Sequence, residues 1–126
     1  QKKYIGKLSA FCGAVSAGYA CGAAITYMLG GNFNQIANTI INTLANTSGI
    51  ICDGAKPSCA AKISSALDAA LLAHTMSMHD DVFHADEGIV KDDLEKTIRA
   101  VGYIGREGMK STDIEVLNIM IDKVCP

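Results

Sequence analysis

The sequence predicts an all-α protein, a compact bundle of about five helices around a central helix rich in Gly and Ala. Of its 126 residues, 49% are hydrophobic but only 6% are aromatic, and there is no Trp. The strands of a β-sandwich favour aromatic and β-branched side chains instead. Apolar residues recur at helical spacing, and no segment shows sustained strand alternation. The length suits one helical domain over residues 1–126.

The first predicted helix covers residues 8–29, which are rich in Ala, Gly and Ser and end before a Gly-Gly pair. Its small and polar residues interrupt the apolar run, which favours a buried helix over a membrane span. A glycine inside a helix costs up to about 1 kcal/mol relative to alanine. The retention of Gly13, Gly18 and Gly22 therefore indicates close approach to a neighbouring helix.

The second predicted helix covers residues 33–47, where Ile36, Ile40 and Leu44 form one apolar stripe. Four asparagines repeat at the same spacing on another face: Asn34, Asn38, Asn42 and Asn46. Asn is a poor helix former. The sequence leaves two interpretations open, a solvated face and an amide ladder that faces a polar cavity or another helix.

The third predicted helix begins near Pro57, because proline suits a first helical turn, and it continues through Met76. Its predicted buried face consists of Ile63, Leu67, Ala70 and Leu71. Residues 77–90 are expected to be irregular.

A fourth helix is predicted over residues 91–105, closed by Gly105 and Gly108. Its apolar positions at helical spacing are Leu94, Ile98, Val101 and Ile104. The last helix is predicted to open at Thr112, because Thr112 and Glu115 have capping-box spacing. Its expected inward positions are Ile114, Leu117, Ile121 and Val124.

Charge and cysteine content restrict the functional class. The net charge is −2 and there is no polybasic run, which argues against a nucleic-acid partner. The chain begins with Gln1 and shows no signal-peptide pattern, so we expect an excised piece of a longer protein. Five cysteines are an odd number for a disulfide framework. We therefore expect a reducing cytoplasm, with thiols free for metal binding or chemistry.

Cys12 and Cys21 are nine residues apart. On one continuous helix they would point to opposite sides, because a helix turns about 100° per residue. They could then not serve one site, and one of them is expected to be an ordinary core cysteine.

The segment ICDGAKPSC places Cys52 and Cys59 on either side of an Asp53-Gly54 turn. Cys59 is expected in the first turn of a helix, where the helix dipole stabilises a thiolate, with Lys56 and Lys62 nearby. A single zinc more often uses a tighter spacing, and a gap of seven residues suits a larger group such as an iron–sulfur cluster. Two unrelated buried thiols beside a turn remain the alternative at this point.

The same segment carries a family resemblance. GIICDGAKPSCAAKISSALDAA (49–70), EGIVKDDLEKTIRAVGYIGREGM (87–109) and TDIEVLNIMI (112–121) resemble the iron–sulfur L-serine dehydratase α-chain superfamily, closest to its L-cysteine desulfidase branch. The resemblance implies a helical catalytic domain with a [4Fe–4S] cluster held by three cysteines, one of them about forty residues before the other two. It thereby assigns Cys12, Cys52 and Cys59 as ligands of the cluster iron.

The resemblance leaves Cys21 as a core residue. It leaves Cys125 open between a frayed terminal thiol and a metal ligand that caps the iron lacking a protein thiolate. Asp53 and Lys56 are weaker candidates for contact with substrate or with the surroundings of the cluster.

The implied reaction is α,β-elimination from L-cysteine, giving hydrogen sulfide, ammonia and pyruvate, or from L-serine, giving ammonia and pyruvate. No convincing catalytic base is found: His74, His79 and His84 are expected in a solvated polar loop. The base is expected in the missing N-terminal part of the same protein, so this C-terminal, cluster-binding part should be inactive alone.

The expected partners are a small amino-acid substrate and that missing part, with no nucleic acid and no membrane, and a homodimer is compatible with the sequence. The alternative function is a non-enzymatic helical module that uses its thiols for redox sensing or a structural metal.

Overall fold

The computed structural model describes residues 2–6 and 9–123, which form an all-α bundle. This part of the chain contains six α-helices, one π-helical turn and an isolated antiparallel bridge between Phe11 and Ile51. The helices are α1 (Lys2–Ile5), α2 (Gly13–Met28), α3 (Phe33–Thr47), α4 (Ser58–Met78), α5 (Leu94–Tyr103) and α6 (Lys110–Met120), with the π-helical turn at Ile104–Gly108. The predicted fold class is confirmed.

Helices α2 and α4 pack parallel to each other at very close range. A β-carbon added to Gly18 would lie 2.8 Å from Ala66 Cβ, and one added to Gly22 would lie 3.0 Å from Ala70 Cβ. The partners are 48 positions apart at both contacts, so the two helices run in the same direction. The predicted close approach of the glycine-containing helix is confirmed at these two positions.

This close approach also determines which face of α4 is buried. The buried side chains of α4 are small: Ala66, Ala69, Ala70, Ala73 and Ser77. The predicted face was wrong at Ile63 and Leu71, which are 44% and 48% exposed, whereas Ala70 is buried and Leu67 is half-buried. A helix that lies directly against glycines has room only for alanine at the contact, so the larger side chains are turned outward.

The predicted first helix begins later than expected. Residues 9–12 are not helical, and Cys12 is the N-cap of α2 in an extended conformation with φ −66° and ψ 128°. The segment leaves the helical path because its backbone pairs with residues 50–52 instead. The hydrophobic core lies at this end of α2: it comprises Ile5, Phe11, Cys12, Ala14, Val15, Leu44 and Val101.

Helix α3 has the predicted bounds and opens with a capping box between Asn32 and Gln35. Each of the two interpretations of the asparagine stripe applies to part of it. Asn42 is 1% exposed, donates to Asp81 O at 3.0 Å and accepts from the Phe83 amide at 3.0 Å. Asn46 is exposed. One asparagine thus fixes the irregular segment after α4, while others on the stripe contact solvent.

The last two helices are joined without a break. The π-helical turn, in which the Met109 amide donates to Ile104 O at 3.0 Å, carries the chain from α5 into α6. The predicted capping box at Thr112 was wrong, since α6 begins at Lys110 and has no side-chain cap. The predicted burial of Ile114, Leu117 and Ile121 was also wrong: they are 58%, 51% and 57% exposed. Val124 lies outside the described residues.

None of the helices described by the structure has the length and apolarity needed to cross a membrane.

Candidate functional site

Cys12 and Cys52 lie on one short antiparallel ribbon. The Cys12 amide donates to Ile50 O at 3.0 Å, and the Cys52 amide donates to Ala10 O at 2.5 Å. These two hydrogen bonds flank the isolated bridge, as in a non-hydrogen-bonded antiparallel pair. Successive side chains of extended backbone point to opposite faces, so both thiols lie on the same face of the ribbon.

Cys59 lies at the same end of the bundle. It is in the first turn of α4, where its amide donates to Lys56 O at 2.8 Å. The constant separation of 48 residues between contacting positions of α2 and α4 places Cys12 level with position 60, the residue after Cys59. We call this region, defined by Cys12, Cys52 and Cys59, the thiol end of the bundle.

Lys62 ties the first turns of α4 to the segment around Cys52. Its ammonium donates to Ile51 O at 2.8 Å and forms an ion pair with the Asp53 carboxylate. The hydrogen bond to Asp53 raises the pKa of Lys62, and the same bond lowers the pKa of Asp53. Asp53 is therefore an ionised partner of Lys62 and not a free base.

Positive charge surrounds the thiol end. The N-terminal ends of α2 and α4 carry the positive ends of two helix dipoles. The hydrogen bond to Asp53 is the main cause of the raised pKa of Lys62, and smaller electrostatic contributions from Cys12 and Cys52 show that the ammonium lies within electrostatic range of both residues. This arrangement stabilises anionic groups at a position where Cys12 is only 2% exposed.

The remaining cysteines are placed differently from the expectation. Cys21 was expected in the core but is exposed, and it is not among the buried residues of α2, which are Ala14, Val15, Gly18, Gly22 and Thr26. The two cysteines do not share one continuous helix as the prediction assumed, since Cys12 is the extended N-cap of α2, and Cys12 is the buried member of the pair. Cys125 lies outside the described residues. The four described cysteines are free thiols.

The histidines lie away from the thiol end. His74 lies on α4, within the predicted third helix and not in the solvated loop expected for the histidines, and its Nδ1 is 2.9 Å from Thr26 Oγ1. Thr26 is fourteen positions beyond Cys12 along the same direction, which is about 20 Å at the helical rise. His79 and His84 are exposed beyond the end of α4. No histidine is thus placed to act as a base beside the cysteines.

A small cleft lies on the side of the 9–12 segment. Its volume is about 270 Å³, and its lining residues are Ser9, Gly105, Arg106, Met109, Lys110, Asp113 and Ile114. The Ser9 hydroxyl donates to Gly105 O at 2.5 Å, and this contact joins the π-helical turn to the segment that carries Cys12. The sequence predicted that Gly105 closes a helix, and it did not predict the cleft, since π-helical geometry has no sequence signature. π-Helical turns are frequent at functional sites.

Within residues 2–6 and 9–123, no three His, Cys, Asp or Glu side chains converge closely enough to hold a single metal ion. An iron–sulfur cluster makes a different demand, because its thiolate ligands bind separate irons and stand further apart than the ligands of one ion. Three cysteines at the thiol end, together with the helix dipoles and Lys62, fit the charge and donor type of such a group.

Comparison with known proteins identifies the family to which the chain belongs. The family model described as serine dehydratase alpha chain matches residues 1–118. The chain belongs to the serine dehydratase alpha chain family. The cysteine desulfidase branch is not distinguished by this match.

Relatives of high identity include UPF0597 proteins from three bacteria. The chain is 58% identical over 121 residues to one from Treponema denticola, covering 96% of this chain and 28% of the relative. It is 57% identical over 122 residues to one from Lachnoclostridium phytofermentans, covering 97% of this chain and 29% of the relative. It is 54% identical over 122 residues to one from Finegoldia magna, covering 97% of this chain and 29% of the relative. The chain thus spans less than a third of these relatives, and no solved structure matches it.

Proposed function

We propose that this chain is the cluster-binding part of a dehydratase-like lyase that catalyses α,β-elimination from L-cysteine or L-serine. Elimination releases hydrogen sulfide from cysteine or water from serine, and hydrolysis of the resulting imine consumes one water and gives pyruvate and ammonia. The observation that carries the proposal is the grouping of Cys12, Cys52 and Cys59 at the thiol end. Membership of the serine dehydratase alpha chain family supports the reaction class.

The three thiolates would hold a [4Fe–4S] cluster. When bound, the cluster supplies a Lewis-acidic iron toward the β-leaving group of the substrate. Cys12 is fixed by its ribbon hydrogen bond and by its position as N-cap of α2, and Cys52 is fixed by the other ribbon bond. Cys59 is fixed by the first turn of α4. All three thiols therefore come from backbone with defined hydrogen bonds.

Lys62 has a positioning role in this proposal. Its bonds to Ile51 O and to the Asp53 carboxylate hold the segment that carries Cys52 against α4. Its charge also offsets part of the negative charge of the thiolates. Lys56, the other lysine of the loop, is exposed and contributes its backbone carbonyl to the Cys59 amide.

Removal of the substrate Cα proton needs a base, and the described part of the chain offers none at the thiol end that is free to act. Asp53 is paired with Lys62, and His74 is bonded to Thr26 about 20 Å away by helical rise. We propose that the base is contributed by the part of the longer protein that this chain does not span. The 126-residue chain alone is then expected to be inactive.

Anaerobic iron–sulfur reconstitution tests the proposal. The full-length protein should turn brown and bind about four irons per chain, as expected for one [4Fe–4S] cluster. Cys12→Ala, Cys52→Ala and Cys59→Ala should each reduce the bound iron strongly. Cys21→Ala is the matched control, because Cys21 is an exposed cysteine on the same helix that follows Cys12.

Three results would contradict the proposal: a colourless protein, loss of iron in the Cys21→Ala control, or full iron content in Cys52→Ala. A colourless protein that binds one zinc would favour the alternative, a non-enzymatic helical thiol or metal-binding module. Pyruvate release by the loaded full-length protein from L-cysteine and from L-serine, measured side by side, identifies the preferred substrate.

A further inference from the structure

Helix α6 is ordered although it contributes no buried side chain to the bundle. It has 11 residues and no side-chain cap at its start. Most helical stability in proteins comes from the packing of an apolar face. Within the described residues α6, which continues α5 through the π-helical turn, makes little use of such packing.

An apolar stripe on α6 is available for such packing. Ile114, Leu117 and its C-cap Ile121 are spaced by three and four residues, so they lie along one side of the helix. Each is more than half exposed. We call these three residues the α6 stripe. Ile119, which is 54% exposed, lies about 140° around the helix from Ile114 and is not part of it.

The α6 stripe lies next to the thiol end. A β-carbon added to Gly54 would lie 3.6 Å from Met120 Cε, so the C-terminal part of α6 reaches the loop between Cys52 and Cys59. The N-terminal part of α6 lines the cleft beside the 9–12 segment. A segment that covered the α6 stripe would consequently also flank the cysteines.

We propose that the α6 stripe is the docking surface for the remainder of the longer polypeptide, the part that the relatives possess outside the matched region. The chain covers only 28–29% of those relatives, so most of such a polypeptide lies outside this structure. Its complementary surface is apolar, since three neighbouring aliphatic side chains must be buried together. Docking at α6 brings that part to the side of the thiol end where a base is missing.

A second copy of this chain explains the exposed surface less well. Large apolar side chains are exposed on separate elements, including Phe33 at the start of α3 and Leu72 on α4 as well as the α6 stripe. One two-fold contact covers a single patch on each copy. A polypeptide remainder more than twice the length of this chain is able to cover several.

Hydrogen–deuterium exchange of the full-length protein tests the docking surface directly. We expect the α6 amides to be protected at least about 100-fold, because a docked helix opens only through sub-global unfolding. Ile114→Glu, which places a charge in the contact, should reduce that protection about tenfold or more. Ile119→Glu introduces the same charge at a similarly exposed site and should alter the protection of the α6 amides less than about threefold.

If Ile114→Glu does not fold, the smaller change Ile114→Ala tests the same contact. It should also reduce the protection of the α6 amides. Unprotected α6 amides in the wild type would overturn the proposal, as would equal effects of the Glu variants at 114 and 119. Protection that depends on protein concentration would assign the stripe to a second copy instead. Hydrogen–deuterium exchange needs no bound iron. Unprotected α6 amides would therefore contradict the docking proposal but not the cluster proposal, and a failure to bind iron would contradict only the cluster proposal.

Discussion

Cys12 and Cys52, forty residues apart in the chain, donate the two hydrogen bonds that flank one antiparallel bridge. Their side chains lie on the same face of this ribbon because extended backbone alternates its side chains. Neither residue is within a helix, although nearly all of the surrounding bundle is helical. The ribbon is therefore the feature that unites the two thiols, and Lys62 connects it to α4.

We expect loss of Lys62 to weaken iron binding at the thiol end. Lys62→Met removes the bonds to Ile51 O and Asp53, so reconstituted full-length protein should retain iron about tenfold less tightly against a chelator, in the range known for residues that support metal ligands. Lys62→Arg should recover much of the loss. Lys56→Met is the control, and an equal loss there would show that net charge alone is responsible.

The close contact of α2 with α4 predicts that Gly18→Ala is destabilising. The added methyl group would lie 2.8 Å from both the β-carbon and the carbonyl oxygen of Ala66. Overpacking costs about 1–3 kcal/mol, and alanine's better helix propensity returns at most about 1 kcal/mol. We expect a net loss of up to about 2 kcal/mol in urea unfolding. Gly49→Ala adds the same methyl group in open space and should stay near the wild-type value.

The buried asparagine of α3 predicts a second loss of stability. Asn42→Ala leaves the Phe83 amide and Asp81 O without their side-chain partner, at a cost of about 1–3 kcal/mol. Amides of residues 81–83 should also exchange faster. Asn46→Ala, on the exposed part of the same stripe, should have little effect on either measurement. Equal losses for both variants would indicate a helix-wide role of the stripe.

The attachment of α1 to α5 predicts a pH dependence. The Tyr4 hydroxyl donates to Glu95 Oε1 at 2.6 Å, and Arg99 Nε donates to the same oxygen at 3.0 Å. These bonds, that of Tyr4 first, lower the pKa of Glu95. A lowered pKa stabilises the folded state above the ordinary glutamate pKa of about 4.3, and that contribution is lost as the pH falls through the folded value.

Exchange at the α1 amides should therefore accelerate, relative to the intrinsic rate, between about pH 5 and pH 3. Tyr4→Phe keeps the ring that Arg99 covers at 5.6 Å but removes the hydroxyl, so the pH dependence should become smaller. A profile that does not change in Tyr4→Phe would assign the effect to other carboxylates.

Local sequence patterns predicted the elements whose cause is local. The bounds of α3 were correct because the capping residue Asn32 and the apolar spacing agree. The close approach at Gly18 and Gly22 was predicted because glycine inside a helix requires a compensating contact. The buried face of α4 was not predicted, since hydrophobicity ranks Ile63 above Ala66 while the space left by the α2 glycines admits only the smaller side chain.

The sequence by itself determined the all-α class, the bounds of α3 and the set of thiols worth examining, because composition, periodicity and spacing are properties of nearby residues. Tertiary structure alone decided that Cys12 is buried and Cys21 exposed, that Cys12 lies level with position 60, the residue after Cys59, and that α6 presents its apolar side outward. Those outcomes depend on backbone pairing and on the parallel register of α2 and α4, which join residues about forty to fifty positions apart. No local pattern encodes such a relationship.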